Sequence, residues 1–413
     1  MYITVILIMN VKGMRDFYGE ELDKRRYISD MAKVVFESYG YSELDTPAVE
    51  SEEILSRKAG EEIKGQLFRI EGDLALRFDL TVPLARYVAN TSLPKPFKRY
   101  AIGKVWRREE PQKGRFREFL QADADIAGSS SMRCEAELIA CACETLGYLG
   151  FGKLAVKVND RGILNRLAEK FGIREAEKGK FYRALDKIGK AYGNAAEAVR
   201  AAGISNPELE EFYKRIEGGG NEKIIEAACE LLGNETTNNI EKIIEFSKPY
   251  GTEKNIVVDL SLVRGLDYYT GPIFEIQSEE YKLSIAGGGR YDGLIGIYGK
   301  VNEPAVGISL GIERIADLIK APKKKVKRAM VIGIGDVYAE AVAAARKLRA
   351  NAICETDLME RNLSKQLQYA NSRGFDFAII IGEAEKKKGT VKIKDLKTGN
   401  EKEILMAKIA DEF

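Results

Sequence analysis

Between positions 20 and 39 the apolar residues Leu22, Ile28, Met31, Val35 and Tyr39 recur at helical spacing, with acidic residues early and Gly40 just past the end. This pattern predicts an amphipathic helix with one stripe packed on a sheet. Residues 67–70 and 74–78, separated by Glu71, Gly72 and Asp73, read as a hairpin. Thr81 then stands where it can cap a helix through Pro83 to Ala89, proline being tolerated in the first turn. Strands over 97–108 and 115–126 form a second hairpin with Pro111 and Gly114 in its tip, and 131–146 reads as helix. From about 171 to 250 the chain turns rich in Glu, Lys and Ala, a helical insertion with Gly218, Gly219 and Gly220 inside it. Strands resume over 256–260, 273–277 and 281–286, followed by a strand and helix across 307–319. Strands on both sides of the insertion imply a discontinuous first domain, with parts at 9–170 and 251–322 around an insertion at 171–250. Beyond a lysine-rich linker, 329–334, 339–349, 352–355, 358–373 and 377–381 alternate strand and helix, predicting a small α/β domain over 326–413. Gly333 and Gly335 suggest a dinucleotide fingerprint, but Tyr338 occupies the third glycine position.

The hairpin RREEPQKGRFREFLQADAD, residues 107–125, carries the most chemistry. If 115–126 is one strand, Arg115, Arg117, Phe119, Gln121, Asp123 and Asp125 share a face, because side chains alternate with period 2. Phe116, Leu120, Ala122, Ala124 and Ile126 occupy the other, interrupted only by Glu118. One side packs on a core, and the other presents guanidinium, amide and carboxylate groups to a polar ligand or, as the simpler alternative, to solvent.

Composition narrows the chemistry. A chain of 413 residues is expected to form two or three domains. Lys and Arg number 65 against 63 Asp and Glu, so nucleic-acid contact would rest on local patches. With 0 histidines, the Ser/His/Asp triad, the Cys/His dyad and the usual near-neutral general base are excluded. Reactions dominated by positioning and electrostatics, such as phosphoryl or nucleotidyl transfer, remain. The 5 cysteines show no CxxC spacing, which favours free thiols over zinc or disulfides. The apolar opening at 2–9 is too short to span a bilayer and lacks the marks of a signal peptide, so a cytoplasmic protein is expected, with Met9 and Met14 as further plausible starts.

Arg107, Arg108, Arg115, Arg117, Arg264 and Arg314 recur at strand ends and turns, where fixed guanidinium forks suit phosphate oxygens. In LVRGLDYYTG, residues 262–271, adjacent Tyr268 and Tyr269 should face opposite ways, so at most one lines a pocket. AGGGRYDGL, residues 286–294, has glycines that permit close backbone approach to a ligand or form a turn, without the Lys and Ser/Thr of a phosphate-binding P-loop. Asp79 and Thr81 are candidates for an ammonium group, Asp125 for a second cation or nitrogen donor, and Gln121 for either.

On these residues the chain resembles the class II histidyl-tRNA synthetases of archaeal and eukaryotic type over nearly its whole length. RYAIGKVWRREEPQKGRFREFLQADADIAG is similar to the second class II motif, GISLGIERI to the third, and GYSELDTPAVES to the first, a dimer-interface element. LVRGLDYYTG and AGGGRYDGL resemble the two segments peculiar to histidine enzymes. The resemblance implies an antiparallel catalytic sheet flanked by helices in an α/β (α+β) core, a helical insertion near the acceptor stem and a C-terminal mixed α/β anticodon-binding domain. It implies ATP-dependent activation of L-histidine, ATP being a substrate accompanied by Mg2+ and no metal being held by the protein, then transfer to tRNA(His) by a homodimer. Arg107 would contact the α-phosphate and histidine carboxylate, Arg115 and Arg314 the distal phosphates, and Arg264 the α-phosphate from the other side. Asp79, Thr81 and Gln121 would hold the α-amino group, and Asp125, Tyr269 and Tyr291 would read the imidazole. The rival is a synthetase-like regulatory subunit of histidine biosynthesis, whose kind tends to lose the arginine signature and the terminal domain.

Overall fold

The computed structural model describes the chain apart from residues 1–9, 58–60, 113, 186, 189–191, 205, 265–267, 282 and 321–325, and apart from the side chains of 61–63, 196 and 283. The apolar opening at 2–9 and most of the lysine-rich linker lie outside the described residues. The chain divides into two compact units, Met1–Ala321 and Pro322–Phe413.

Strands of the first unit run β1 (Ser42–Glu43), β2 (Val49–Ser51), β3 (Arg69–Ile70), β4 (Leu74–Leu76), β5 (Phe97–Trp106), β6 (Glu118–Ala127), β7 (Leu154–Asp160), β8 (Ile256–Val258), β9 (Pro272–Ser278), β10 (Leu283–Arg290) and β11 (Ala305–Gly311). Eight of them form one sheet in the order β1-β5-β6-β11-β10-β9-β7-β8, while β2, β4 and β3 form a small separate sheet. Pairing in the large sheet is antiparallel except at its two edges, β1 with β5 and β7 with β8. Strands from before and after the helical segment thus share one sheet.

Alternation decides what each face does. Tyr100, Ala122, Ala124, Ile126, Val306, Ile308, Leu310, Phe274, Ile276, Val156 and Val158 form a continuous apolar back face. Against it lie Ile28, Val35 and Phe36 of the helix Glu20–Ser38, and Leu138, Ile139 and Leu146 of the helix Arg133–Tyr148. Each such fully buried side chain contributes ~1.5–3 kcal/mol. The first helix ends where Gly40 takes a φ of 81°, and the backbone N–H of Tyr41 returns to the Phe36 carbonyl at 3.0 Å, a C-terminal closure open to glycine at little cost. Helices between 175 and 247 feed Phe181, Leu209, Phe212, Ile224, Ile240 and Ile243 into that same core.

In the second unit the strands are β12 (Arg328–Gly333), β13 (Ile353–Thr356), β14 (Phe377–Ile381), β15 (Thr390–Asp395) and β16 (Glu401–Leu405), in the order β13-β12-β14-β15-β16. The first three are parallel, and beyond the strand–helix alternation expected from the sequence β15 and β16 add an antiparallel hairpin. Ala329 and Val331 pack under the helix Tyr338–Leu348, while Met330 and Ile332 pack under the helix Leu363–Ser372. That second helix begins five residues later than the spacing suggests, because Asn362 caps it through Oδ1 to the Lys365 N–H at 3.0 Å. Asp357 accepts from both the backbone N–H and Nε of Arg361, holding the preceding residues as a loop.

Among the described residues no helix is long and apolar enough to cross a membrane. The sheet's tightest point is Gly288, where any Cβ would collide with the carbonyl oxygen of Gly307 on the neighbouring strand. Gly288→Ala is expected to destabilise the first unit by more than ~3 kcal/mol, read as a large drop in melting temperature; unchanged melting would refute that packing.

Candidate active site

The front face of the large sheet is built in cross-strand rows. One row runs Arg99, Asp125, Gly307, Gly289, Ile273, and the next Ala101, Asp123, Ser309, Gly287, Glu275. Gly103, Gln121 and Gly311 continue the pattern. Residues directly opposite one another project to the same side, so long polar chains stand in a trough floored by glycine, alanine and serine. The glycines are occupied space: a Cβ on Gly287 would lie 2.6 Å from Arg264 Nη1, one on Gly289 2.9 Å from Tyr269 Cδ1, and one on Gly307 would strike Asp125. The AGGG run is strand, not a turn, and what approaches it is the protein's own side chains.

At one end the trough is acidic and aromatic. Asp125 accepts a short hydrogen bond from Tyr291 Oη at Oδ1, and its Oδ2 lies 2.9 Å from Arg99 Nη2 as an ion contact. Arg99, 1 % exposed, also donates from Nη2 to the Leu80 carbonyl at 2.7 Å, leaving its Nε and Nη1 unpartnered. Asp79 accepts at Oδ1 from the Val82 N–H at 3.0 Å and at Oδ2 from Tyr268 Oη at 3.3 Å. It, not Thr81, caps the helix Thr81–Asn90; Thr81 is the first helical residue and bonds to Tyr268. Gln121 donates from Nε2 to Ser309 Oγ at 2.7 Å, and Ser309 bonds in turn to the Asp123 carboxylate. Burial raises Asp79 and Asp125 above the usual carboxylate range, and raises Asp123 to about 7 against the opposing pull of Arg99. Burial pushes the Tyr269 hydroxyl up to about 12 and those of Tyr268 and Tyr291 well above the ordinary tyrosine value.

The other end is cationic. Arg264 donates from Nη1 to Glu275 Oε2 at 2.8 Å. Burial pulls its guanidinium down, but Tyr269 and Glu275 outweigh that and hold it above its usual value. Arg314 donates to the Ser284 carbonyl at 2.9 Å and is lowered by burial, then by the positive charges of Arg115 and Arg264. Arg314 therefore stands in the field of two other cations, with Glu275 and Glu109 as counter-charges, an arrangement that suits an anionic ligand. Arg107 donates from Nε to the Phe78 carbonyl at 2.9 Å, lies over the Phe119 ring, and acts on Asp79, linking the two ends.

The fold thus gathers Arg107, Arg115, Arg264 and Arg314 with Asp79, Thr81, Gln121, Asp125, Tyr269 and Tyr291. Two readings change. β6 begins at Glu118, so strand parity does not govern Arg115 or Arg117: Arg115 sits in a tight turn paired with Gln112, with Gly114 at a φ of 73°. Arg117 is turned away to the Glu109 carbonyl. Tyr268 also belongs to the site, its ring 5.0 Å from that of Tyr269 and 5.8 Å from that of Tyr291. Strand alternation does not separate the tyrosines because they precede β9. Gly265 and Asp267 lie outside the described residues. Arg99, Asp123 and Ser309 were not singled out, although Asp123 shares the parity of Gln121 and Asp125.

Comparison with known proteins follows the same outline. The family described as histidyl-tRNA synthetase matches residues 13–315, and an anticodon binding domain matches 328–413. The chain belongs to the histidyl-tRNA synthetase family. Histidine–tRNA ligase of Aeropyrum pernix is 40% identical over 405 residues, covering 92% of this chain and 91% of the relative. That of Pyrobaculum islandicum is 36% identical, covering 94% of each. The crystal structure of histidyl-tRNA synthetase from Nostoc sp. PCC 7120 superposes with a TM-score of 0.79 at 28% identity, covering 98% of this chain and 99% of that one.

For this synthetase-family chain the acidic end stores strain that pH reveals. Asp123 binds its proton more tightly folded than unfolded, so between its ordinary value of 3.8 and about 7 the folded state holds the extra proton. Stability should therefore fall as pH rises through that window, by up to a few kcal/mol. Asp123→Asn is expected to flatten this fall and raise the melting temperature at pH 8; an unaltered pH–melting curve would contradict the strain.

Proposed function

We propose that the chain activates L-histidine with ATP to histidyl-adenylate, releasing pyrophosphate, and transfers the histidyl group to the 3' end of tRNA(His). The observation that carries this reading is the joining, in one trough, of a three-arginine cluster with a buried acid–tyrosine pocket. A nucleotide needs the first and an amino acid with a basic ring the second. Asp79, Thr81 and Gln121 hold the α-amino group, and Asp125, Tyr269 and Tyr291 line the imidazole end.

Arg107 and Arg264 flank the α-phosphate. The histidine carboxylate attacks it, the bond to the bridging oxygen breaks, and pyrophosphate leaves towards Arg115 and Arg314. Guanidinium groups stay charged at any accessible pH, so they stabilise the charge that builds on the phosphorus oxygens without exchanging protons. Mg2+ accompanying ATP as part of the substrate would supply charge neutralisation on the phosphates. In the transfer step the terminal ribose hydroxyl attacks the histidyl carbonyl, AMP departs, and a phosphate oxygen of the adenylate takes the proton, since the chain has 0 histidines to serve as base.

The unit Pro322–Phe413 holds the anticodon region, and a homodimer forms through the small sheet, where Val49, Ile70 and Leu74 are exposed apolar residues. Action in the cytoplasm follows from tRNA as substrate. The alternative of a regulatory subunit without aminoacylation is disfavoured by the intact arginines and the terminal domain.

Histidine-dependent exchange of pyrophosphate into ATP, with charging of tRNA(His), tests the reading; absence of both would favour the regulatory alternative. Arg264→Gln is expected to lower the exchange kcat by about 10²–10³-fold with the histidine KM little changed. A rise in histidine KM at unaltered kcat would remove Arg264 from the reacting phosphate.

A further inference from the structure

The segment ahead of the first helix, residues 12–17, belongs to none of the motifs, yet it reaches both the turn that carries Arg115 and, through one further residue, the helix that carries Arg314. Its backbone holds the hairpin tip. The Gly13 carbonyl accepts from the Arg117 N–H at 2.8 Å, and Lys12 pairs with Glu110. A Cβ on Gly13, whose φ is 84°, would stand 2.7 Å from Pro111 Cγ and 2.8 Å from Arg117 Cγ. Its side chains enter a series in which rings and guanidinium groups alternate. The Arg15 guanidinium lies 3.9 Å from the centre of the Phe116 ring and 4.9 Å from that of Phe17, and Phe17 is shared with Arg25 at 3.7 Å.

The series ends on Glu313. Arg25 donates from Nη2 to Glu313 Oε1 at 2.6 Å, both side chains being almost fully buried. The same carboxylate accepts from the Leu120 N–H at 2.9 Å and 3.1 Å. The β11–β6 ladder stops at Gly311 opposite Gln121, so Glu313 satisfies the Leu120 N–H where a longer strand would have offered a carbonyl. The contacts therefore run from the neighbour of Arg115 to the neighbour of Arg314, and Arg314 feels the positive charge of Arg115. Two guanidinium groups brought together repel, so their spacing needs a mechanical hold. We propose that residues 12–17 are a strap that fixes Arg115 and Arg314 at the spacing a polyphosphate requires, with Arg15, Phe17 and Arg25 as positioning residues for the nucleotide end of the trough. This rests on the ATP-dependent reading above and adds to it residues that act through others. Removing Arg25 would strand a buried carboxylate, which makes the half-buried Phe17 the better position to vary.

The test uses the full chain and measures kcat and the ATP and histidine KM in histidine-dependent pyrophosphate exchange for Phe17→Ala, Phe17→Leu, Phe17→Tyr, Arg15→Ala, and Arg15→Ala together with Phe17→Ala. Phe17→Ala removes two ring contacts and is expected to raise the ATP KM about 5- to 30-fold, with the histidine KM held within about twofold. Phe17→Tyr keeps the ring face and should hold the ATP KM within about twofold of the unsubstituted chain, whereas Phe17→Leu, which keeps bulk without a ring face, should not. The paired substitution should raise the ATP KM by less than the product of the two single effects, since either change breaks the same series. Melting curves show whether each variant is folded at the assay temperature; should Phe17→Ala not be, Arg15→Ala, at a side chain 39% exposed, carries the same prediction. An ATP KM that Leu preserves as well as Tyr does overturns the strap, as does an equal rise in both KM values. No histidine-dependent exchange in the unsubstituted chain overturns the functional reading and the strap with it, whereas exchange whose ATP KM is unmoved by Phe17→Ala and Arg15→Ala overturns the strap alone.

Discussion

The whole site depends on a steric constraint: long charged side chains can converge over the large sheet only because the strands beneath them carry almost nothing. Gly287 leaves room for the Arg264 guanidinium, Gly307 for the Asp125 carboxylate, Gly289 for the Tyr269 ring, and Gly103 for Arg77, whose Nη2 lies 2.5 Å from where a Cβ would stand. On the opposite face, β11 and β9 present large residues. Ile308 and Leu310 of β11 and Phe274 and Ile276 of β9 anchor the sheet to the helices behind. One face is therefore close-packed and rigid while the other is hollow, and the rigidity of the first holds the groups in the second within the tolerance that transfer chemistry requires.

Charge is distributed along that hollow with the same economy. Carboxylates crowd one end, where burial lifts Asp79, Asp123 and Asp125 while Arg99 opposes it at Asp123 and Asp125 and Arg107 at Asp79. Guanidinium groups crowd the other, where Arg314 is depressed by burial and by its neighbours and only Glu275 and Glu109 answer. Each end is internally frustrated, and each frustration has the sign that a bound amino acid or a bound polyphosphate would relieve. Groups of this kind are expected where binding must be selective and where the empty site forgoes stability for it.

Much of this was legible in residue order. The parity of Gln121, Asp123 and Asp125 places them on one face without any knowledge of the fold, and the helix over 20–38 is readable from its apolar stripe and closing Gly40. The hairpin tip was not, since the ladder stops at Trp106 and Glu118 and leaves Arg115 in a tight turn beside the left-handed Gly114. Tyr268 was missed because its partner, Asp79, is remote in sequence, and Arg99 because its role exists only once β5 is set in register against β6. The strand Leu154–Asp160 and the β15–β16 hairpin alternate clearly enough to have been read, but carry no chemistry that draws attention. Register and cross-strand company were the missing information, not propensity.

The most direct measurement is a crystal structure of the chain with a non-hydrolysable histidyl-adenylate analogue. The account predicts its phosphorus between Arg107 and Arg264, with the imidazole ring against Asp125 and Tyr291 at the acidic end of the trough. An analogue bound with the ring at the arginine end, or seated away from the glycine-floored face altogether, would contradict it.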